Sequence, residues 1–157
     1  MQIKLIAVGK TDQKLLDSLI ADYIKRLGFY IKFDFDIIAD IKNAKNLSTT
    51  QQKDKEGTLI LNKINTSDVV ILLDENGKQY SSVNFSEVLQ KHMNSGIKKL
   101  VFVIGGPYGF SEAVYQRANG KLSLSKMTFS HQMIRLFFIE QLYRGFTILK
   151  NEPYHHR

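Results

Sequence analysis

Three short segments carry residue types that could hold a small ligand and act on it. Gly105-Gly106-Pro107-Tyr108-Gly109 places three glycines in five residues, which lets the backbone turn sharply and approach a ligand closely. A helix beginning after it could receive an anion at its N-terminus. The spacing fits neither the dinucleotide fingerprint nor the P-loop, so alone it reads equally well as a glycine turn that binds nothing. Leu73-Asp74 closes an apolar run, and Leu124-Ser125-Lys126-Met127-Thr128-Phe129 follows another. At the C-terminal ends of strands in an open α/β sheet, such segments face the crevice where ligands bind.

A second group lies near the C-terminus. Arg135, Glu140 and Arg144 interrupt a helix-spaced run that is otherwise apolar from Met133 to Phe146. Charges on such a surface are costly unless paired internally or in contact with a ligand, and both readings stand. The tail Asn151-Glu152-Pro153-Tyr154-His155-His156-Arg157 would be unstructured by default. Its tyrosine and histidines could also stack on bases, and its arginine could hold phosphate. Adjacent histidines without a carboxylate cluster do not make a metal site, so no metal is expected.

Composition narrows the chemistry. The chain has no cysteine, which excludes disulfides, thiolate nucleophiles and Cys-ligated metals. With 22 Lys+Arg against 15 Asp+Glu, the net charge of +7 favours polyanions but does not choose among nucleic acid, anionic membrane and phosphorylated metabolites. The N-terminal apolar run is too short for a signal peptide, and Val69–Leu73 is far below the ~20 residues that span a bilayer. A soluble, cytoplasmic protein is expected. The 157 residues suit a single domain, 1–157.

The elements that would position these residues follow from periodicity. Residues 3–9 read as a buried strand, then a helix capped by Thr11 or Asp12 and closed by Gly28 in the usual glycine manner. Ile31, Phe33, Phe35 and Ile37 alternate with polar residues, as in a half-buried strand. Residues 40–55, including Ser48–Gln52, read as a mobile loop running into a helix over 52–64. Val69–Leu73 reads as a fully buried strand, with Asn76-Gly77 marking a tight turn. A helix near 84–94, a buried strand 100–104, a short helix capped by Ser111, a strand at 122–124 and a long helix over 131–149 complete the chain. The class is α/β, a mostly parallel sheet with helices on both faces. The last helix has almost no polar side, so it should be covered from several directions, which predicts a homodimer.

Taken together and in order, the motifs resemble the ribosomal RNA large-subunit methyltransferase H family, of the SPOUT (α/β-knot) class. The resemblance covers the whole chain. It runs through Ile6-Ala7-Val8-Gly9-Lys10, Tyr23-Ile24-Lys25-Arg26-Leu27, Asp54-Lys55-Glu56-Gly57 and Leu73-Asp74 with Gly77-Lys78. Val103-Ile104-Gly105-Gly106-Pro107 with Gly109, Leu122–Phe129, His131-Gln132-Met133, Glu140–Arg144 and Pro153-Tyr154-His155 complete it. The resemblance implies a C-terminal part threaded as a trefoil knot, which no reading of strands and helices would suggest. It implies S-adenosyl-L-methionine bound by Leu73, Gly105 and Leu124 through Phe129. It implies methylation at N3 of a pseudouridine in 23S rRNA of the assembled ribosome, with Arg144, Tyr154 and His155 on the RNA side. Ser130 stands where the family commonly has proline; serine can cap the following helix, so function should survive.

Chemically, methyl transfer needs the nucleophile in line with the methyl carbon, and the N3 proton must leave. Arg144 could stabilise the anionic ring, and His155 could accept the proton. The competing readings are a non-enzymatic RNA-binding or ribosome-associated factor on the same fold, and an enzyme that binds ATP at Gly105–Gly109. Binding of S-adenosylmethionine separates them.

Overall fold

A computed structural model describes residues 1–156. Five strands, β1 (Gln2–Val8), β2 (Lys32–Ile38), β3 (Val69–Lys78), β4 (Lys99–Ile104) and β5 (Gly120–Leu122), form one all-parallel sheet in the order β2-β1-β4-β3-β5. Successive side chains of a strand face opposite sides, so the sheet supports two cores. On one side Ile3, Leu5, Leu100 and Phe102 pack with residues of α1 (Lys14–Leu27), α3 (Ser82–Asn94) and α5 (Met133–Leu149). On the other, Ile6, Val8, Val101 and Val103 meet Ile60 of α2 (Thr49–Leu61) and Val114 of α4 (Glu112–Arg117). The expected α/β architecture, with helices on both faces, is the one observed.

Several local expectations are corrected. Gln13, not Thr11 or Asp12, occupies the N-cap of α1, and no side chain bonds there. Gly28 ends that helix with φ −59°, an ordinary right-handed conformation and not the left-handed one glycine usually supplies. Ser48–Gln52 is not loop: Ser48 Oγ accepts the Gln51 N–H at 3.1 Å and the Gln51 side chain accepts the Ser48 N–H at 2.9 Å, a reciprocal cap that starts α2 at Thr49. Asn76-Gly77 lies in a bulge within β3 and not in a turn that ends it: Leu73 and Lys78 both pair with Leu122, so residues 74–77 loop out between them. Gly77 is needed for closeness: a Cβ there would lie 2.5 Å from the Leu122 carbonyl carbon and 2.7 Å from the Ser123 nitrogen. Within β3 only Val70 and Leu72 are fully buried, since its outer neighbour β5 is just three residues long. That strand also lies two residues earlier than expected.

The last helix lies between α1 and α3. It buries Phe138, Ile139, Leu142, Gly145 and Phe146, and Gly145 lets Leu89 of α3 come close. Met133 and Phe137 remain 40% and 39% exposed, so this chain alone does not cover all of the helix. No helix among the described residues is long and apolar enough to cross a membrane, and they contain no group of three or more potential metal ligands from His, Asp or Glu.

Candidate functional site

Parallel strands β3 and β4 end side by side, so the chain leaving each must turn away at the same edge. There they open a cavity of about 450 Å³, a size suited to a cofactor. The three segments singled out from sequence converge on it: Leu73 with Asp74, Gly105 through Gly109, and Leu124, Ser125, Met127, Thr128 and Phe129. Lys126 of the same run is exposed and is not among the residues lining the cavity. Further walls that sequence reasoning did not assign come from Glu75, Asn76, Ile104, Phe110, Tyr115, Leu122, Ser123, His131 and Ile134.

Each wall is held by local bonds. Gly109, at φ +81°, donates its N–H to the Gly106 carbonyl at 3.1 Å and closes the glycine loop. The Asp74 carboxylate accepts the Asn76 N–H at 2.8 Å and the Tyr115 hydroxyl at 2.6 Å. Burial, reinforced by Asp74, pushes the Tyr115 phenol up to about 12, so it stays a donor. In the 123–130 run, Ser123 Oγ donates to the Ser125 carbonyl at 2.8 Å and Ser125 Oγ accepts the Met127 N–H at 2.9 Å. Ser130 Oγ accepts the Met133 N–H at 3.2 Å just before the final helix, whose N-cap position is held by Gln132 and not by the serine. Arg135, fully buried, donates to the carbonyls of His131 and Val8 at 2.9 and 2.8 Å and to Thr11 Oγ1 at 3.1 Å. Its partners are thus backbone and hydroxyl oxygens, and it pins the end of the cavity run against the end of β1.

The C-terminal residues form a separate cluster. Arg144 pairs with Glu140 one turn back on α5, at 2.7 Å from Nη2 and 3.1 Å from Nε. Tyr154 donates to the same Glu140 oxygen at 2.9 Å, lies 3.2 Å from the Tyr23 hydroxyl and sits beneath the Arg144 guanidinium at 4.8 Å. Burial, followed by the bonds to Tyr23 and Glu140, raises the Tyr154 phenol well above its ordinary value. His155 Nδ1 lies 3.3 Å from Arg144 Nη1. An arginine only donates, so Nδ1 is the acceptor and the other ring nitrogen carries any proton of the neutral ring. The tail through His155 is therefore packed on the helix; Arg157, read as a phosphate contact, lies outside the described residues.

The fold thus gathers Arg144, Tyr154 and His155, and gathers the cavity residues, but keeps the two groups apart. Ile134 lines the cavity, and Arg144 stands ten residues further along the same helix, about 15 Å away. A family profile described as "Predicted SPOUT methyltransferase" matches residues 1–155. The chain belongs to the SPOUT methyltransferase family. Proteins called ribosomal RNA large subunit methyltransferase H are similar to this SPOUT methyltransferase over their whole length. One from Flavobacterium psychrophilum is 76% identical and one from Flavobacterium johnsoniae 74%, each across all of both chains. Another, from Porphyromonas gingivalis, is 54% identical over 99% of each chain. The SPOUT class uses S-adenosylmethionine, and the cavity suits it in size, in the close backbone approach at Gly105–Gly109 and in having the Asp74 carboxylate among its lining residues.

Proposed function

We propose that the protein methylates N3 of a pseudouridine in large-subunit (23S) rRNA within the assembled ribosome, as a single-domain, cytoplasmic enzyme working as a homodimer. The observation that carries this reading is the pairing of a cofactor-sized cavity with a structured Arg-Tyr-His cluster on one family-defined chain. S-adenosylmethionine, held by Leu73, Gly105 and the Leu124–Phe129 run, supplies an electrophilic methyl group. Arg144, held rigid by two bonds to Glu140, would offset negative charge on the uracil ring as its N3 proton departs. Tyr154 and the half-buried His155 would present flat faces to a base. His155 could take a proton at Nδ1 only by giving up Arg144, which favours a positioning role over that of a base.

The exposed side of α5 supports the homodimer. Met133, Phe137, Glu140 and Arg144 are spaced 4, 3 and 4 apart, so they form one stripe. Leu15 and Leu19 of the adjoining α1 add exposed apolar surface, and Gln132 ties the two helix starts together through Lys10 and Asp12. Two copies related by a two-fold axis across the middle of this stripe would run their α5 helices antiparallel. Arg144 of one copy would then stand against the Met133–Phe137 turn of the other, beside its cavity. The site would be shared between subunits. The trefoil threading is part of the same proposal.

The test is transfer of labelled methyl groups to ribosomes from a strain lacking the modification, with the product mapped. Label on one pseudouridine of the large-subunit RNA is expected. Cofactor binding without transfer to any ribosomal RNA would favour an RNA-binding factor instead.

A further inference from the structure

Glu56 is a buried carboxylate with half its bonding capacity unused. It lies on α2, 3% exposed, where Oε1 accepts the Gln52 amide at 3.0 Å. Oε2 is the one buried side-chain polar atom among the described residues that has no hydrogen-bond partner. The carboxylate faces the glycine loop directly: a Cβ on Gly106 would fall 2.7 Å from the Glu56 carboxyl carbon. Gly106 lines the cavity, so the carboxylate stands immediately behind the cavity wall. Gly57 brings it there, because its missing side chain lets α2 press against Val114 of α4 and Ser111, the residue that caps α4.

No cation among the described residues balances the group. None of the ion pairs among the described residues includes Glu56. Lys55 is exposed, and Arg117 of α4 spends its guanidinium on the carbonyls of Asn65 and Asp68. An uncompensated buried carboxylate is costly, and the cost falls when a cation arrives on the other side of the wall.

We propose that Glu56 is a positioning residue for the charge of the methyl donor, its field acting through Gly106 to favour a sulfonium over a neutral thioether. This rests on the reading that the cavity takes S-adenosylmethionine. In the transfer, the sulfur–methyl bond breaks as the methyl carbon bonds to N3, the electron pair stays on sulfur and the N3 proton passes to solvent. The sulfur loses its positive charge in that step. Glu56 therefore holds the cofactor and stops holding the product, S-adenosylhomocysteine, once the reaction is done.

Calorimetry on the full chain with each of the two ligands tests this. Glu56→Gln should weaken S-adenosylmethionine by about tenfold and leave S-adenosylhomocysteine within about twofold, one unit charge acting across a few ångströms of protein. Equal weakening of both would make Glu56 merely structural, and unchanged affinity for both would also overturn the proposal. If Glu56→Gln does not fold, Glu56→Met, which removes the charge and leaves no polar group to satisfy, takes the same two titrations with the same outcomes. A wild-type protein that binds neither ligand would defeat the cavity assignment itself.

Discussion

Tyr154 and Glu140 are joined by a 2.9 Å hydrogen bond that fastens the C-terminal segment to the middle of α5. The same Glu140 oxygen receives Arg144, so one carboxylate orients both the cation and the aromatic ring proposed to meet RNA. Arg144→Ala should lower methyl transfer by about 100-fold, the scale of losing one charge-stabilising donor. Cofactor affinity, measured by calorimetry, should not change, since the cavity is built elsewhere. A matching loss of cofactor affinity would place Arg144 in the wrong group.

Gly105→Val should abolish cofactor binding by moving the loop. A Cβ there meets the Phe110 ring at 3.0 Å and the Gly109 carbonyl at 3.2 Å, so the added bulk strikes the loop itself before it reaches the ligand's space. Binding isotherms on a variant with native far-UV circular dichroism check this; wild-type affinity would contradict the assigned site.

Two neighbouring phenylalanines should behave differently. Phe138 is fully buried against Phe85 and Phe102, and Phe138→Asp should unfold the chain by burying an unpaired charge. Phe137, 39% exposed and packed on Phe129, belongs to the stripe proposed to meet a second copy. Phe137→Asp should leave a folded monomer, whereas the wild type should sediment at about twice 18.0 kDa. A monomeric wild type at micromolar concentration would remove the dimer.

Acid should release one stabilising pair. Burial alone would raise the Asp36 carboxyl, but bonds from Lys63 at 2.8 Å and Lys4 at 3.0 Å outweigh it and hold the group below its ordinary value of 3.8. A depressed carboxyl stabilises the fold above its unfolded value, and that contribution disappears as pH falls below it. Asp36→Asn should therefore cost about 1 kcal/mol or less at pH 7, and less than that at about pH 3, the loss of that contribution growing as pH falls through the depressed value. Denaturant melts at the two pH values measure the difference.

The strand–helix alternation and the convergence of three loops were legible because both rest on periodicity and chain direction. Other features were not, for identifiable reasons. The α2 start carried a readable signal, Ser48 three residues before Gln51, but the buried side of that helix includes Glu56 and Gly57, so apolar periodicity underrated it. Asn76-Gly77 carries a turn signal locally and residues 74–77 do loop out, but the return of Lys78 to pair with Leu122, 44 residues away, is in no local pattern. Tyr154 is fixed by Tyr23, 131 residues distant, a contact no local pattern contains. Glu56 shares a helical face with Gln52 and Ile60, and a lone acid at such a position is the signal that could have drawn attention to it.

The most direct test of a site shared between subunits is complementation in mixed dimers. One variant carries Gly105→Val and lacks a working cavity; the other lacks residues 151–157 and with them Tyr154 and His155. Each homodimer should be inactive on ribosomes. A heterodimer, isolated with two different tags, keeps one intact cavity and one intact tail on different chains. It should regain up to about half the wild-type methyl transfer, one productive site of two, if the sites act independently. Heterodimers that form but transfer no methyl group would mean that each site is built within one chain.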